Sequence, residues 1–223
     1  MASFRARLLS EAAGTLLLVV AVVGSGIMAQ RLTAPPHVSP VLALLANTVA
    51  TGGALVALIL TFARTSGAHF NPCVTLSEAI RGNLPWIDAV LVAITQICAA
   101  IVGTFLCHAE FGLRILGNTG AHRLNQGTFI GEVIATAGLI LVVRKVGPLG
   151  PLPSAAAVAG WIVGGYWFTS STAFANPAVT IARSFTSTYT GIHSNDVMGF
   201  IGAQVVGCLI AMALDRATRE PTS

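Results

Sequence analysis

The fold of this chain follows from the stretch Gly67-Ala68-His69-Phe70-Asn71-Pro72-Cys73-Val74-Thr75-Leu76, which is matched further along by Phe174-Ala175-Asn176-Pro177-Ala178-Val179-Thr180-Ile181. Asn is a preferred helix N-cap, and Pro suits the first helical position because its missing N–H would have no partner there. Each stretch therefore predicts a short helix that begins directly after an Asn. A helix from Pro72 to about Ile80 would be roughly 13 Å long, and two such helices meeting end to end would cover roughly 27 Å. That length is close to the ~30 Å hydrocarbon thickness of a bilayer.

The composition indicates a membrane protein. Of the 223 residues, 54% are hydrophobic and only 9% are charged, a balance that soluble domains of this size do not normally show. Several apolar stretches are long enough, or nearly so, to cross a bilayer as a helix. They lie at about 8–30, 39–62, 86–108, 128–147, 155–171 and 194–215. The sequence thus predicts an all-α membrane protein with six transmembrane helices and two re-entrant half-helices.

The two halves of the chain also match each other at polar positions inside the predicted spans. The matching positions are Glu11 and Thr15 with Glu132 and Thr136, and Gln96 with Gln204. We interpret the chain as a tandem repeat, with repeat one at about 8–108 and repeat two at about 128–215. Three spans per repeat is an odd number, so the second copy is inverted relative to the first. Residues 1–223 are expected to form a single transmembrane channel domain.

The charge distribution predicts the topology and excludes one class of partner. The net charge is +4, but the basic residues are dispersed rather than clustered, so nucleic acid is not an expected partner. With both termini in the cytoplasm, most basic residues fall on the cytoplasmic side, as the positive-inside rule requires. In that arrangement 109–126 is the outer crossover between the halves, and 147–153 is a cytoplasmic connector that serves as a linker or a gate. The cytoplasmic set is Arg5, Arg7, Arg64, Arg81, Arg144, Lys145, Arg216 and Arg219, and the outer set is Arg31, Arg114, Arg123 and Arg183.

The sequence contains no recognisable catalytic or metal-binding pattern. The cysteines have neither zinc-like nor disulfide-framework spacing, so we expect them to be reduced and buried. No nucleophile and base stand at a recognisable spacing. We therefore expect no enzymatic activity, no cofactor and no bound metal. The cysteines are Cys73, Cys98, Cys107 and Cys208.

The paired Asn-Pro motifs, with the Ser66-Gly67-Ala68-His69 lead-in and the Val-Thr that follows each, resemble the aquaporin (major intrinsic protein) family. The resemblance runs from Glu11 to about Asp215, nearly the whole chain. It implies the aquaporin fold and a passive channel that usually assembles as a homotetramer with one pore per subunit. It also implies membrane lipid as a partner, and we expect a bacterial inner membrane with both termini cytoplasmic.

The resemblance assigns the pore motifs Asn71-Pro72-Cys73 and Asn176-Pro177-Ala178. Each capping Asn uses its carbonyl oxygen on helix N–H groups, which leaves its amide free to donate to a passing neutral solute. Two helix N-termini that meet at the midplane make a positive focus that repels protons and cations, as in aquaporin-type pores. In this family the backbone carbonyls before each Asn line the lumen. Here they belong to Gly67, Ala68, His69, Thr172, Ala173 and Phe174.

The family's selectivity filter, located by its offset from the two Asn residues, falls on Thr51, Gly164, Ala173 and Val179. Val179 stands where water- and glycerol-conducting members have an Arg, and the other three residues are small. The constriction is therefore expected to be wide and apolar, with charge exclusion left mainly to the half-helix dipoles. Arg183 lies one helical turn further on, and its partial substitution for the missing Arg is the less favoured alternative.

A small filter without Arg resembles that of the bacterial arsenic-resistance-associated aquaglyceroporins, which are thought to pass arsenite. The expected solutes are arsenite and related metalloid acids, with water and glycerol as further solutes. An ordinary glycerol and water aquaglyceroporin is the first alternative. A proton-coupled secondary transporter is the second, and it would require Glu11 or Glu132 to titrate during transport. We favour a structural role for both acids, as acceptors for the backbone that leads to each half-helix.

Several polar side chains keep two interpretations each. Cys73 replaces the usual Ala of the first motif, either as a small packing residue or as a thiol that binds soft metalloids. Thr51 and Asn47 either face the lumen or hold helices together. His69 either donates into the pore or bonds the neighbouring backbone.

Overall fold

The computed structural model describes residues 2–32, 39–115 and 119–218. Within these residues, each half has two long helices, then one short helix, then a third long helix, in the order that the repeat predicts. They are α1 (Phe4–Leu32), α2 (Pro40–Ser66), α3 (Pro72–Ile80), α4 (Trp86–Glu110), α5 (Gln126–Val146), α6 (Pro151–Phe168), α7 (Pro177–Arg183) and α8 (Val197–Ala217), with 3-10 turns at Gly147–Leu149 and Ser194–Asp196. Part of the predicted crossover, at 116–118, and Arg219 lie outside the described residues.

The long helices α1, α2, α4, α5, α6 and α8 correspond to the six predicted spans. Among the described residues, α1, α2, α4 and the segment Ser194–Ala217 are long and apolar enough to cross a membrane by length and composition. α5, which carries Glu132, Arg144 and Lys145, and α6 complete the six. α6 begins at Pro151, earlier than the predicted 155, because Gly150 adopts a φ of 111° and Pro151 is already in the first helical turn.

The two half-helices form where the Asn-Pro pairs place them. α3 spans Pro72–Ile80, which confirms the predicted bounds, and α7 is shorter, at Pro177–Arg183. Both capping residues are extended, with φ −155° and ψ 119° at Asn71 and φ −154° and ψ 111° at Asn176. The chain therefore enters each half-helix from a non-helical segment.

The packing of the helices repeats between the halves. α1 packs against α2 and α4, as α5 packs against α6 and α8. The halves join where α2 packs on α6. Each half-helix contacts the last long helix of its own half and that of the other half, so that α4 touches α3 and α7, and α8 touches both as well. This is the arrangement of two three-helix repeats, each with one half-helix, that the sequence predicts.

Polar and small residues fix the distances between the long helices. Asn47 on α2 donates from Nδ2 to the Val22 carbonyl and to Ser25 Oγ on α1, at 2.8 Å each, so this side chain holds two helices together. A Cβ on Gly103 of α4 would lie 2.8 Å from the Leu16 carbonyl oxygen of α1. The equivalent Cβ on Gly207 of α8 would lie 2.5 Å from the Val133 carbonyl oxygen of α5. These glycines allow two pairs of helix backbones to touch.

Gly207→Ala is expected to lower the free energy of unfolding by about 1–3 kcal/mol, because the added methyl group meets a backbone atom that can move only with its whole helix. The measurement is thermal unfolding of the detergent-solubilised protein. Gly160→Ala is the matched control, since a Cβ at Gly160 meets nothing within 4 Å and Ala favours the helix. Equal losses in the two variants would contradict the close approach of α5 and α8.

Candidate functional site

The two half-helices meet nose to nose at Asn71 and Asn176. Asn71 Oδ1 accepts a hydrogen bond from Cys73 N at 2.9 Å, and Asn176 Oδ1 accepts from Ala178 N at 3.0 Å. Each amide group also reaches across the junction: Asn71 Nδ2 donates to the Ala175 carbonyl at 2.7 Å, and Asn176 Nδ2 donates to the Phe70 carbonyl at 2.8 Å. The two Asn side chains therefore cap their own helices and also join the two halves. The sequence predicted that both Asn amides would be free to donate to a solute. In the structure, each amide already donates one hydrogen bond to a backbone carbonyl of the other half.

The backbone leading to each Asn is strained in the same way in both halves. Ala68 and Phe70 have φ values of 52° and 48°, and Ala173 and Ala175 have 47° and 49°. Residues other than Gly seldom adopt this left-handed region, which costs of order 1–2 kcal/mol each. Such a path persists only where its N–H groups are held elsewhere.

Two buried carboxylates hold those N–H groups. Glu11 accepts from His69 N at 2.9 Å, from Phe70 N at 2.8 Å and from Gln96 Nε2 at 2.8 Å. In the second half, Glu132 accepts from the backbone N–H groups of the two residues before Asn176 at 2.8 Å each, and from a glutamine amide at 2.6 Å. The glutamine is Gln204. Each acid is fully buried and supports the strained lead-in of the half-helix in its own repeat.

A cavity of about 480 Å³ runs between the helices and past both Asn residues. One end, which we call the Arg183 end, lies at the C-terminus of α7. The other, the Arg144 end, lies beside the turn between α5 and α6. Five of the six residues whose carbonyls were predicted to line the lumen are in the lining, and Thr172 is not. The five are Gly67, Ala68, His69, Ala173 and Phe174.

At the Arg183 end, Thr51, Ala173 and Val179 lie in the lining, whereas Gly164 does not. Gly164, predicted to line this end, instead faces the Phe168 ring, whose nearest atom lies 3.1 Å from a Cβ built there. α6 instead contributes Tyr166, whose hydroxyl lies 3.3 Å from Thr51 Oγ1. A hydroxyl pair thus faces the cavity where the sequence analysis predicted a bare backbone.

Arg183 is buried and also lines this end of the cavity. Its Nε donates to the Thr190 carbonyl, and its guanidinium carbon lies 3.4 Å from the centroid of the Phe174 ring. Arg123, from the segment before α5, lies 5.9 Å from the same centroid. Burial lowers the pKa of the Arg123 guanidinium from its ordinary value. Fixed positive charge is therefore concentrated around Phe174.

Comparisons with known proteins agree with this geometry. Residues 1–148 match the family model described as major intrinsic protein. The chain belongs to the major intrinsic protein family. Aquaglyceroporin AqpS of Rhizobium meliloti (strain 1021) is 43% identical over 220 residues, which cover 96% of this chain and 91% of that protein. The probable aquaporin TIP2-2 of Oryza sativa subsp. japonica is 32% identical over 214 residues, which cover 91% and 83%.

The fold is also shared with a solved structure. The X-ray structure of the aquaglyceroporin from Plasmodium falciparum matches with a TM-score of 0.72 at 21% identity, covering 96% of this chain and 95% of that one. As a major intrinsic protein, the chain is an integral membrane channel for water and small solutes.

Cys73 of this major intrinsic protein does not line the cavity. Its side chain is buried, and its carbonyl lies 3.4 Å from Cys208 Sγ on α8. This placement fits the packing interpretation. His69 does line the cavity, and its Nδ1 lies 3.1 Å from Thr75 Oγ1. One ring nitrogen is thus held by α3.

The Arg144 end of the cavity carries a buried ion-pair network that the sequence analysis missed. Arg144 Nη1 lies 2.6 Å from Glu78 Oε1 on α3, and Arg144 Nε lies 3.4 Å from Asp215 Oδ2 on α8. Lys145 Nζ lies 3.3 Å from Asp215 Oδ1. These ion pairs join α5 to α3 and to α8, so they hold the three helices together at this end of the cavity. The signal in the sequence was weak, since each of these residues alone resembles a basic or acidic flank of a span.

Proposed function

We propose that this channel conducts small neutral solutes passively, with arsenite and related metalloid acids preferred and water and glycerol as further solutes. Trivalent arsenic at neutral pH is an uncharged trihydroxy molecule, which needs room and hydrogen-bond partners rather than an opposite charge. The observation that carries the proposal is the Arg183 end of the cavity. There Thr51, Ala173 and Val179 present small side chains to the lumen.

The polar groups along the cavity suit a solute with several hydroxyls. Each pore Asn has two amide N–H groups, of which one crosses the junction and the other remains for a solute. The left-handed segments before Asn71 and Asn176 supply carbonyl acceptors. Thr51 and Tyr166 add a hydroxyl pair that can both donate and accept. A hydroxylated solute can therefore exchange water for protein partners throughout its passage.

Charge exclusion in this proposal rests on Arg183 and the two half-helix N-termini. Val179 occupies the position where the related channels have their Arg. Arg183 is one helical turn further on, yet it lines the same cavity. No carboxylate among the described residues pairs with it, whereas Arg144 at the other end is compensated by Glu78 and Asp215. A positive charge that lacks a counter-ion opposes cations. Arg183 thus takes over part of the role that Val179 cannot perform.

The placement of the two buried acids argues against the proton-coupled transporter. Glu11 and Glu132 do not line the cavity, and each already accepts three hydrogen bonds. A coupling carboxylate must exchange protons with the solute pathway. We therefore propose that both are structural.

The second candidate function is an ordinary glycerol and water channel. It is favoured by the name of AqpS as an aquaglyceroporin and by the same small side chains at the Arg183 end, which would admit glycerol. It differs from the first proposal only in the solute that the cell uses the channel for.

We propose that residues 1–223 act as a single channel domain that assembles as a homotetramer in a bacterial inner membrane, with both termini cytoplasmic. Large apolar side chains are exposed along the outside of the long helices, as contact with lipid or a neighbouring subunit requires. Examples are Leu42, Val49, Ile94 and Ile210.

The test is the initial rate of uptake into proteoliposomes, measured by stopped flow for water and glycerol and by tracer for arsenite. We expect all three to exceed the rate of empty liposomes, arsenite by at least about tenfold, which corresponds to a barrier lower by about 1.4 kcal/mol. Rapid glycerol entry with arsenite at the empty-liposome rate would replace the first proposal by the second. Entry of neither solute would overturn both.

A further inference from the structure

Two histidines and an aspartate meet outside the cavity, although they are far apart in the sequence. His122 lies in the segment 119–125, His193 precedes the turn Ser194–Asp196 that leads into α8, and Asp196 ends that turn. One ligand atom from each residue lies within 4.8 Å of the other two. His122 Nδ1 is already 3.2 Å from Asp196 Oδ1, and the two imidazole rings stack with centroids 3.7 Å apart. The fold thus brings three metal-ligating side chains together that no sequence motif announces.

Hydrogen bonds from the backbone hold the carboxylate in place. Asp196 Oδ2 accepts from Arg123 N at 2.5 Å and from Leu124 N at 3.0 Å. Oδ1, the other oxygen, is the one that faces His122. Ligands of metal ions are commonly oriented in this way by a second set of contacts, which fixes them before the ion arrives. Asp196 therefore offers one oriented oxygen.

The histidines are less constrained, which allows the site to close. A tetrahedral ion with bonds of 2.0–2.2 Å needs its ligand atoms about 3.4 Å apart, so the cluster must contract slightly. The rings must also leave their stack, since the lone pairs of parallel rings do not converge. The side chain of His122 is 67% exposed and can turn without disturbing a core. Nδ1 of His193 accepts only a solvent-exposed bond from Asn195 N at 3.2 Å, which water or the ion can replace.

We propose that His122, His193 and Asp196 bind one divalent transition-metal ion. Two imidazoles and one carboxylate suit Zn²⁺, Ni²⁺ and Cu²⁺. Ca²⁺ and Mg²⁺ take six or more oxygens and do not fit this set. Three protein ligands leave one position of a tetrahedral ion for water. The site is separate from the solute cavity, because none of the three residues lines it.

The ion would fasten the segment before α5 to the turn before α8. Next to His122, Arg123 donates to the carbonyls of Gly191 at 2.7 Å and Tyr189 at 2.8 Å. The same Arg123 lies against Phe174, which does line the cavity. Metal binding is therefore expected to stabilise the segment 119–125, whose Arg123 lies beside Phe174.

The experiment is Zn²⁺ binding to the full chain in detergent, measured by isothermal titration after removal of any polyhistidine tag. We expect one Zn²⁺ per chain, with excess Mg²⁺ or Ca²⁺ unable to displace it. His122→Ala and His193→Ala should each weaken binding by more than about 100-fold, since even contacts that only orient a ligand are worth roughly 10–100-fold. Asn195→Ala, between the two ligands of the turn, is the matched control and should bind as the wild type does.

A second readout guards against loss of fold in the variants. Co²⁺ in the wild-type site should give the visible absorption of a four-coordinate nitrogen and oxygen environment, and His122→Asn, at an exposed position, should abolish it while the size-exclusion profile stays unchanged. Absence of Zn²⁺ binding by the wild type would overturn the proposal. So would binding of unchanged stoichiometry and affinity in both histidine variants.

Discussion

Val179→Arg is expected to slow arsenite and glycerol entry into proteoliposomes by at least about tenfold, equivalent to a barrier raised by about 1.4 kcal/mol. Val179 lies in the cavity lining beside Thr51 and Ala173, and its backbone is fixed in the first turn of α7. A longer side chain there is expected to extend into the cavity that Val179 lines. The new guanidinium would also stand one turn from Arg183, and like charges at that spacing repel each other. Water, the smallest solute, should lose far less of its flux.

Val179→Leu separates volume from charge. It enlarges the same side chain without a guanidinium, so its effect on arsenite entry should be much smaller than that of Val179→Arg. Equal effects would mean that volume alone limits the pore at this point. Arsenite entry at the wild-type rate in Val179→Arg would contradict the placement of the constriction at the Arg183 end.

Glu132→Ala is expected to lower the free energy of unfolding by about 3 kcal/mol or more. The substitution leaves Phe174 N, Ala175 N and Gln204 Nε2 without their acceptor, and each orphaned buried donor costs about 1–3 kcal/mol. The left-handed residues Ala173 and Ala175 would also lose the contact that holds them. Glu11→Ala should lower the free energy of unfolding by a similar amount, because Glu11 accepts the equivalent three hydrogen bonds in the first half. Thermal unfolding in detergent, followed by size-exclusion chromatography, measures the loss.

Glu110→Ala is the control for removing an acid, since Glu110 is exposed at the end of α4. Glu110→Ala should unfold at the same temperature as the wild type. Glu132→Gln keeps the shape and one acceptor oxygen, so it should lie between the wild type and Glu132→Ala. If Glu132→Ala were as stable as Glu110→Ala, the acid would not be the support of the second half-helix.

Much of the fold was predictable because its signals are local. Asn and Pro mark the start of each half-helix through capping, and the apolar length of each span follows from bilayer thickness. The matched acids Glu11 and Glu132 could be paired with the two turns because the repeat carries both in the same order. The predicted start of α6, at about 155, is a few residues late, because Gly150 and Pro151 are as typical of a connector as of a helix start.

The candidate site was less predictable because it depends on where side chains point after packing. The offset from the Asn residues led to Gly164, but α6 presents Tyr166 to the cavity instead. The one signal for Tyr166 in the sequence was a hydroxyl-bearing side chain within an apolar helix. Arg183 reaches the cavity because α7 is short and ends there, which motif spacing does not show. The bonds from the Asn amides to Ala175 and Phe70 cross between the halves. They could not be derived from either half alone.

The central claim is that solute crosses passively through the cavity that runs past the N-termini of α3 and α7. It is tested most directly by following internal arsenite to steady state in proteoliposomes under an inward proton gradient. We expect a fast rise in internal arsenite that stops when the internal and external concentrations are equal, at the same level with and without the gradient. Accumulation above the external concentration that collapses when the proton gradient is dissipated would contradict it.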